Sequence, residues 1–178
     1  MEVSLTPPVD LVAGPITIPA NATPGVNATI NFTVFNGGSN TARGSWEDAI
    51  FISADTNFDL GDAFFGQVKH KGDVGPGGQY TNTLTAPLPG ILPGDYHVIV
   101  RSDILNHLVE QNRTNNLSAT LNSVAIDVEP LLMDAPDTGA IAQGQSVYYK
   151  FNATAGETVR VRFTTGVPLA GNEMFVRF

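Results

Sequence analysis

Four oxygen-bearing side chains stand close together between two apolar runs of the sequence. They are Asp55, Asn57, Asp59 and Asp62, and Gly61 lies among them. Carboxylate and amide oxygens at alternate positions are typical of calcium loops, although the glycine is not at the sixth position of an EF-hand loop and no glutamate stands at the twelfth. The alternative is a hairpin turn whose Asp and Asn side chains cap its own backbone. The sequence therefore predicts either a site for Ca²⁺ as a cofactor or a self-capped acidic turn.

A second and weaker group of polar side chains follows later in the chain, at Glu110, Asn112, Asn115 and Asn116. Asn side chains in loops commonly bond to nearby backbone groups, and this is the favoured interpretation of the group. The alternative is an ion that the group shares with Asp103.

No pattern in the sequence indicates catalysis. The histidines His70, His97 and His107 are scattered, and no two of them have the spacing of metal ligands on a predicted element. The chain contains no nucleophile motif of the G-x-S-x-G type, no P-loop and no dinucleotide fingerprint. We therefore predict that the chain is not an enzyme and that its histidines have structural or surface roles.

Asn-x-Ser/Thr triplets make several asparagines candidates for glycosylation. Many such triplets arise by composition in a protein rich in Asn and Thr. The predicted acceptors are Asn21, Asn27, Asn31, Asn112, Asn116 and Asn152.

Composition and charge exclude several classes of partner. The formal net charge is −8 and there is no Lys/Arg cluster, which argues against binding to nucleic acid or to an anionic membrane. No apolar run is long enough for insertion into a membrane. The absence of cysteine excludes disulfides, and 18 glycines with 12 prolines indicate a chain with many turns. Together with the lack of helical periodicity, this predicts an all-β protein.

Alternation of apolar and polar residues is clearest from Val26 to Phe35, where one face must be buried and the other exposed. Seven or eight short strands with this character lie between residues 10 and 128, which is typical of an immunoglobulin-like antiparallel β-sandwich. We interpret Trp46 as a core anchor. Tyr96, which opens its strand, is either an ordinary core residue or a tyrosine whose hydroxyl bonds back to the preceding corner.

A second unit is predicted from residue 129 onward, after the dipeptide Glu129-Pro130. Apolar residues alternate again over 147–151 and 158–164, and another strand is predicted from Met174 to Phe178. Three strands are too few to close a sandwich. We therefore expect an incomplete second β-sandwich module, which is truncated or completed by another chain. Residues 1–9 are interpreted as a linker.

Residues 10–128 resemble the CARDB family, the cell-adhesion-related domains of bacteria and archaea. The segments that carry the resemblance are DLVAGPITIPANATPG, VNATINFTVFNGG, GSWEDAIFISADTNFDLGDAFFG, LPGDYHVIVRSD and VEQNRTNN, in this order. The last segment departs from the family pattern, because Arg113 stands where an acidic residue is common. Residues 129–178, with TGAIAQGQSVYYKFNATAGETVRVRF and GNEMFVRF, resemble the first half of a bacterial pre-peptidase C-terminal (PPC) domain.

These resemblances imply a non-catalytic adhesion or spacer module of a modular prokaryotic protein, located at the cell surface or secreted. Calcium at the acidic turn would make such a module more rigid. One alternative is a subunit of an extracellular filament, in which other modules or copies of the chain pair by β-strand addition and the first segment, with Pro7 and Pro8, is the donor. Another alternative is an accessory region of a secreted peptidase or glycosidase.

Overall fold

The computed structural model describes residues 8–167 and 171–176 and contains β-strands but no helix in these ranges. Residues 1–7 of the predicted linker, and the last two residues of the predicted C-terminal strand, lie outside the described residues. The strands are β1 (Leu11–Thr17), β2 (Asn21–Ala22), β3 (Asn27–Asn36), β4 (Ser45–Ser53), β5 (Ala63–Lys71), β6 (Gln79–Pro87), β7 (Gly94–Arg101), β8 (Leu117–Ala119), β9 (Val124–Ile126), β10 (Glu129–Pro130) and β11 (Tyr149–Lys150).

Two sheets face each other and form a β-sandwich, which confirms the predicted fold class. One sheet has the strand order β1-β3-β6, and the other has the order β2-β9-β7-β4-β5. The short strand β8 pairs with β7 in line with β9. The pairs within the sandwich are antiparallel except for β2 with β9, which is parallel.

The core lies between the two sheets and follows the predicted alternation. Ala28, Ile30, Phe32 and Val34 of β3 are at most 7% exposed, whereas Thr29 on the opposite face is exposed. Burying one such large apolar side chain contributes about 1.5–3 kcal/mol. The alternation in β3 therefore both orients the strand and stabilises the sandwich.

Trp46 is the predicted core anchor, and the structure confirms this role. Its side chain is fully buried, and its indole Nε1 donates to the hydroxyl of Tyr80 at 2.9 Å. For Tyr96 the structure selects the corner alternative, because its hydroxyl donates to the carbonyl oxygen of Leu92 at 3.0 Å. This bond ties the start of β7 to the proline-rich crossover from β6.

The chain enters and leaves the sandwich at opposite ends. Leu11 pairs with Asn36 at the end of β3, and this end of the sandwich is called the entrance end. The last strand, β9, pairs Ile126 with Gly94 at the start of β7, and this opposite end is called the exit end. The direction of the chain therefore runs along the long axis of the sandwich.

Residues 117–128 alternate like a single strand in the sequence, but the structure divides them into β8 and β9. The hydroxyl of Thr120 accepts the backbone N–H of Val98 at 3.1 Å, while the N–H of Thr120 donates to the Val98 carbonyl. A side chain thus replaces one bond of the ladder, and the following residue, Leu121, projects into solvent with 96% of its surface exposed.

The strands predicted in the second unit are mostly wrong. Only Tyr149–Lys150 of 147–152 is a strand, in a two-residue parallel pair with Glu129–Pro130, and 158–164 and 171–176 contain none. Several apolar residues of this region are exposed, with Phe163 at 48% and Met174 at 50%, and Val159 and Val161 are only partly buried. Alternation alone does not form a strand when neither a pairing partner nor an apolar surface covers it.

Candidate functional site

The acidic turn connects β4 to β5 at the exit end, and its side chains bond to its own backbone. Asp55 Oδ1 accepts the N–H of Asn57 at 2.6 Å, and Asp59 Oδ1 accepts the N–H of Gly61 at 2.6 Å. Asp62 Oδ2 accepts the N–H of Asp59 at 2.9 Å. The structure therefore shows the self-capped turn that the sequence analysis gives as one alternative.

An aromatic side chain of the same turn fixes it to the outer face of the sheet. The ring of Phe58 lies 4.7 Å from that of Phe51 on β4, and the guanidinium of Arg101 on β7 lies 4.7 Å from the centre of the Phe58 ring. Such edge-to-face and cation–π contacts contribute about 0.5–1.5 kcal/mol each. At the tip of the turn, Leu60 is completely exposed.

Calcium binding at this turn stays a prediction. Within the described ranges, no three or more His, Cys, Asp and Glu side chains form a group that could hold a metal ion. Asp55, Asp59 and Asp62 each accept a backbone N–H with one carboxylate oxygen, so the bonds of the self-capped turn leave the second oxygen of each side chain without a backbone donor from this turn.

The second polar group lies at the entrance end, in the loop between β7 and β8, and Glu110 is its central residue. Glu110 Oε2 accepts the backbone N–H of Leu11 at 2.8 Å, and Oε1 accepts the amide of Asn116 at 2.8 Å. Burial raises the pKa of Glu110, while these two bonds and the nearby Arg113 act in the opposite direction. Glu110 therefore connects the loop to the first strand, 99 residues earlier in the sequence.

Asp103 organises the start of the same loop. It has a φ of 44°, which is unusual for a residue other than glycine, and it is 1% exposed. Its carboxylate accepts the N–H groups of His107 and Leu108, both at 2.8 Å. These two bonds hold the backbone in a conformation that costs about 1–3 kcal/mol.

Arg113 occupies the centre of the loop and supplies its positive charge. Its guanidinium donates to Asn106 Oδ1 at 2.7 Å, to Glu110 Oε1 at 3.2 Å and to the carbonyl oxygen of Leu108. The Asp103 carboxylate lies 3.8 Å away. The carboxylates of Asp103 and Glu110 thus already have donors, whereas the buried amide oxygens of Asn115 and Asn116 accept no hydrogen bond.

The asparagines of this loop follow the favoured interpretation. Asn112 Oδ1 accepts the N–H of Thr114 at 3.0 Å, and Asn116 Nδ2 donates to the carbonyl oxygen of Ser102 at 3.4 Å. Asn115 Nδ2 donates to Asp10 Oδ1 at 3.1 Å, which is a further bond to the first strand. The group therefore holds loop backbone and the first strand in place.

A buried polar network between the sheets was not predicted from the sequence. Asp48 of β4 is fully buried, and its Oδ2 accepts the hydroxyl of Tyr80 at 2.8 Å and the amide of Asn82 at 3.3 Å. Its Oδ1 accepts the N–H of Asp103 at 3.1 Å. Burial raises the pKa of Asp48 to about 6, and the three hydrogen bonds limit the increase. The sequence does contain a signal for the burial of Asp48. This residue lies two positions after Trp46 in the same strand, so both side chains point to the same, inward face of the sheet.

The histidines have contacts of the structural kind that was predicted. His70 stacks on Trp46, with ring centres 4.3 Å apart, and burial lowers its pKa. His97 Nδ1 lies 2.8 Å from the carbonyl oxygen of Thr120. His107 Nδ1 lies 3.2 Å from Glu47 Oε2 on the entrance-end surface.

The structure separates the predicted glycosylation acceptors by exposure. Asn116 is 5% exposed and its amide nitrogen donates two hydrogen bonds, so a glycan on that nitrogen is incompatible with the folded loop. The amide of Asn31 is partly buried, and its oxygen accepts the hydroxyl of Thr83. Glycosylation stays a prediction for the exposed acceptors, which are Asn21, Asn27, Asn112 and Asn152, and for Asn31.

Comparisons with known proteins place this geometry in context. The CARDB family model matches residues 8–120. Comparison with curated proteins finds no match. In the described part of the chain, no helix has the length and apolar character needed to cross a membrane.

Among solved structures, the CARDB domain of a Pyrococcus furiosus protein, in complex with di-metal ions, is 18% identical. The similarity covers 67% of this chain and 90% of that chain, with a TM-score of 0.49. A domain of a Methanosarcina acetivorans protein described as a cell surface protein is 19% identical, with 65% and 91% coverage and a TM-score of 0.50. A β-glucosidase from Listeria innocua is 13% identical over 67% of this chain but only 16% of that chain, with a TM-score of 0.40.

The family match covers more than half of the chain and includes both sheets of the sandwich up to Thr120. CARDB is a non-catalytic, cell-adhesion-related domain found in bacterial surface proteins. On this match, together with the sandwich and its entrance-end loop, the chain belongs to the CARDB family.

Proposed function

We propose that this chain is a non-catalytic spacer module of a prokaryotic cell-surface or secreted protein, and that it presents neighbouring modules at a fixed distance. The observation that supports this function is the direction of the chain, which enters near Leu11 and leaves near Ile126 at the opposite end. Modules with this geometry add their full length when they follow one another in a row. The bonds of Glu110 and Asp48 supply the stiffness that a spacer needs.

The absence of cysteine makes this proposal accessible to distance measurement. In the double variant Gln111→Cys/Leu60→Cys, two exposed positions can carry spin labels, one in the entrance-end loop before β8 and one in the exit-end turn after β4. Double electron–electron resonance should give one narrow distance of about 30 Å, from the rise of a strand of seven to nine residues. A broad or much shorter distribution would contradict a stiff spacer.

A second function, strand addition between copies, is favoured by the free edge of β6. This strand pairs with β3 over nine residues without a bulge and carries no charged residue. The other edge of the same sheet, β1, has Pro15 and a bulge, and the edge strand β5 of the facing sheet carries Lys69 and Lys71, which are common protections against added strands. We propose that β6 accepts a strand from a second copy of the chain, as a filament would require.

Residues 158–164 fit the role of the added strand. Val159 and Val161 alternate with Arg160 and Arg162, and the segment forms no strand in the described structure. Its two positive charges complement a chain whose net charge is −8. The N-terminal segment is a poorer donor, because Val9 is already bonded within its own sandwich.

Sedimentation velocity over a range of protein concentrations tests strand addition. The unmodified chain should form larger species as concentration rises, and Val161→Pro should abolish them because proline removes a backbone donor. Val167→Pro, at an exposed position outside the segment, is the matched control and should leave association unchanged. A monomer at every concentration would exclude this second function.

The PPC-like second unit and the accessory role beside a hydrolase both stay predictions. The PPC-like character of residues 129–178 stays a prediction, since the family match ends at residue 120. The similarity to β-glucosidase is confined to a small part of that chain, so an accessory role beside a secreted peptidase or glycosidase also stays a prediction.

A further inference from the structure

The first and last segments of the sandwich lie side by side and run in the same direction. Residues 9–22 lead from the entrance end to the exit end, and residues 109–127 make the same passage through β8 and β9. Backbone hydrogen bonds join the two segments directly. They fall into one group at each end of the sandwich.

At the entrance end, the backbone of Val9 is bonded on both sides. Its N–H donates to the carbonyl oxygen of Val109 at 3.2 Å, and its carbonyl oxygen accepts the N–H of Gln111 at 2.8 Å. The N–H of Ala13 donates to the carbonyl oxygen of Asn115 at 2.9 Å. Together with the side-chain bond from Glu110 to the Leu11 N–H described above, these contacts fix the first strand to the loop before β8.

At the exit end, β2 pairs with β9 in parallel. The N–H of Ala125 donates to the carbonyl oxygen of Ala20, and the N–H of Asp127 donates to the carbonyl oxygen of Ala22, both at 3.3 Å. This is the parallel pair within the sandwich, and it is formed by the first and last segments of the chain.

Tension applied to the two ends of the chain acts on these contacts in a specific direction. It pulls the first segment toward the entrance end and the last segment toward the exit end, so that parallel neighbours slide along each other. Hydrogen bonds between strands are oriented across the strand axis and would be loaded together. When strands are instead peeled apart from one end, the bonds break one after another and each carries the load alone.

The geometry points to a load-bearing function: the paired first and last segments act as a shear clamp that keeps the module folded while the chain is under tension. This inference rests on the proposed spacer function, because only a module that is part of a string experiences tension along this axis. The clamp adds resistance to extension to the proposed spacer function. A spacer in a string of modules that is never under tension would not need this resistance.

Single-molecule force spectroscopy on the full chain tests the clamp by comparing two pulling directions in one fold. In the first, handles are attached at the N- and C-termini, which loads the clamp in shear. In the second, handles are attached at the N-terminus and at Gly75→Cys, a site in an entrance-end loop where an added side chain meets nothing within 4 Å. The second direction peels β1 from β3 and loads the exit-end bonds last.

We expect the peeling direction to unfold at about half the force of the shear direction or less, at equal loading rate, since forced unfolding reports the unfolding barrier. Equal forces in the two directions, or a lower force in shear, would overturn the clamp. The distance measurement on Gln111→Cys/Leu60→Cys is independent of this result. A narrow distance with equal forces would reject the clamp and leave the spacer function intact.

A backbone variant identifies the bonds responsible. Ala125→Pro removes the N–H that donates to Ala20, at an exposed position of β9. It should lower the unfolding force in the shear direction and leave the peeling force unchanged. A loss of equal size in both directions would show general destabilisation instead of a clamp at the exit end and would contradict the assignment of these bonds.

Discussion

The sandwich and the segment that follows it carry the same sequence pattern and have different structures. Apolar and polar residues alternate in β3 and again in 158–164. β3 lies between β1 and β6 and forms the centre of the core, whereas 158–164 pairs with no strand in the described structure. The comparison shows that alternation specifies which side chains share a face, while pairing and burial depend on what the rest of the chain provides.

The facing sheet is the physical difference between the two regions. Inward residues of β3 belong to one buried apolar cluster with residues of β4 and β7, and they are almost completely removed from water. In the following segment, none of the alternating residues Val159, Val161 and Phe163 is fully buried, and Phe163 keeps 48% of its surface exposed. A strand without a buried face gains little free energy to offset the entropy of ordering its backbone.

A matched pair of substitutions gives the largest expected effect and tests this comparison directly. Phe32→Ala should lower the free energy of unfolding by about 3–5 kcal/mol, because it leaves a cavity in a fully buried site. Phe163→Ala, the same chemical change in the second region, should change it by less than about 0.5 kcal/mol. Urea denaturation followed by tryptophan fluorescence measures both, since Trp46 lies in the core.

Similar losses for the two variants would show that residues 129–176 contribute to the cooperative fold, and the contrast between the regions would fail. A small loss for Phe32→Ala would mean that β3 is not the centre of the core. Either result can be recognised without any information on the biological partner.

Replacing the buried carboxylate of Asp48 should have an intermediate effect on the free energy of unfolding, and this effect depends on pH. The pKa of Asp48 is raised from 3.8 to about 6 in the folded state, so the folded state binds the proton more tightly than the unfolded state does. The stability from this proton is complete below about pH 4 and is lost as the pH rises through 6, a change of about 2–3 kcal/mol. The amide side chain of the Asp48→Asn variant does not titrate, so this pH-dependent loss of stability is absent from the variant.

The free energy of unfolding of Asp48→Asn minus that of the unmodified protein should therefore increase by this amount between pH 4 and pH 7. His70, whose pKa is lowered by burial, makes the folded state more stable as the pH rises, which is opposite to the effect of Asp48. Because His70 is present in both proteins, its contribution cancels when one free energy of unfolding is subtracted from the other. Urea titrations at four or five pH values measure it. A difference that stays constant with pH would show that Asp48 is not the buried titrating group of the interface between the sheets.

Calcium at the acidic turn gives the smallest expected effect and distinguishes the two ends of the sandwich. For a site of the affinity found in extracellular modules, 1 mM Ca²⁺ should stabilise the fold by about 0.4–1.4 kcal/mol relative to chelator. Asp59→Ala should remove the stabilisation, while Asp73→Ala, at the entrance end, should retain it. Thermal melts that are identical with Ca²⁺ and with chelator would leave only the self-capped turn.

Several features could be predicted from single residues and their spacing. The alternation in β3, the burial of Trp46 and the hairpin turn at Asp55 to Asp62 all agree with the structure. These are local features, and each depends on side-chain alternation or on the backbone preferences of Pro, Gly, Asp and Asn. A local pattern is sufficient when the neighbouring residues alone decide the conformation.

Other features could not be predicted because they depend on contacts between distant residues. Glu110 appears in the sequence as one member of a polar loop, and its bond to Leu11 exists only because the fold brings the two together. Arg113 appears in the sequence as a departure from a family pattern, whereas in the structure its guanidinium bonds to Asn106 and Glu110 of the same loop. The division of the last strand at Thr120 likewise depends on a bond to β7.

The sequence by itself determined that the chain is all-β, which faces of its clearest strands are apolar, and where its turns occur, because these properties follow from residues within a few positions of each other. The tertiary structure decided which strands find partners, which carboxylates are buried and which segments lie side by side. Those outcomes depend on pairing and burial between residues far apart in the chain, and the parallel contact of the first and last segments is an example that no local pattern encodes.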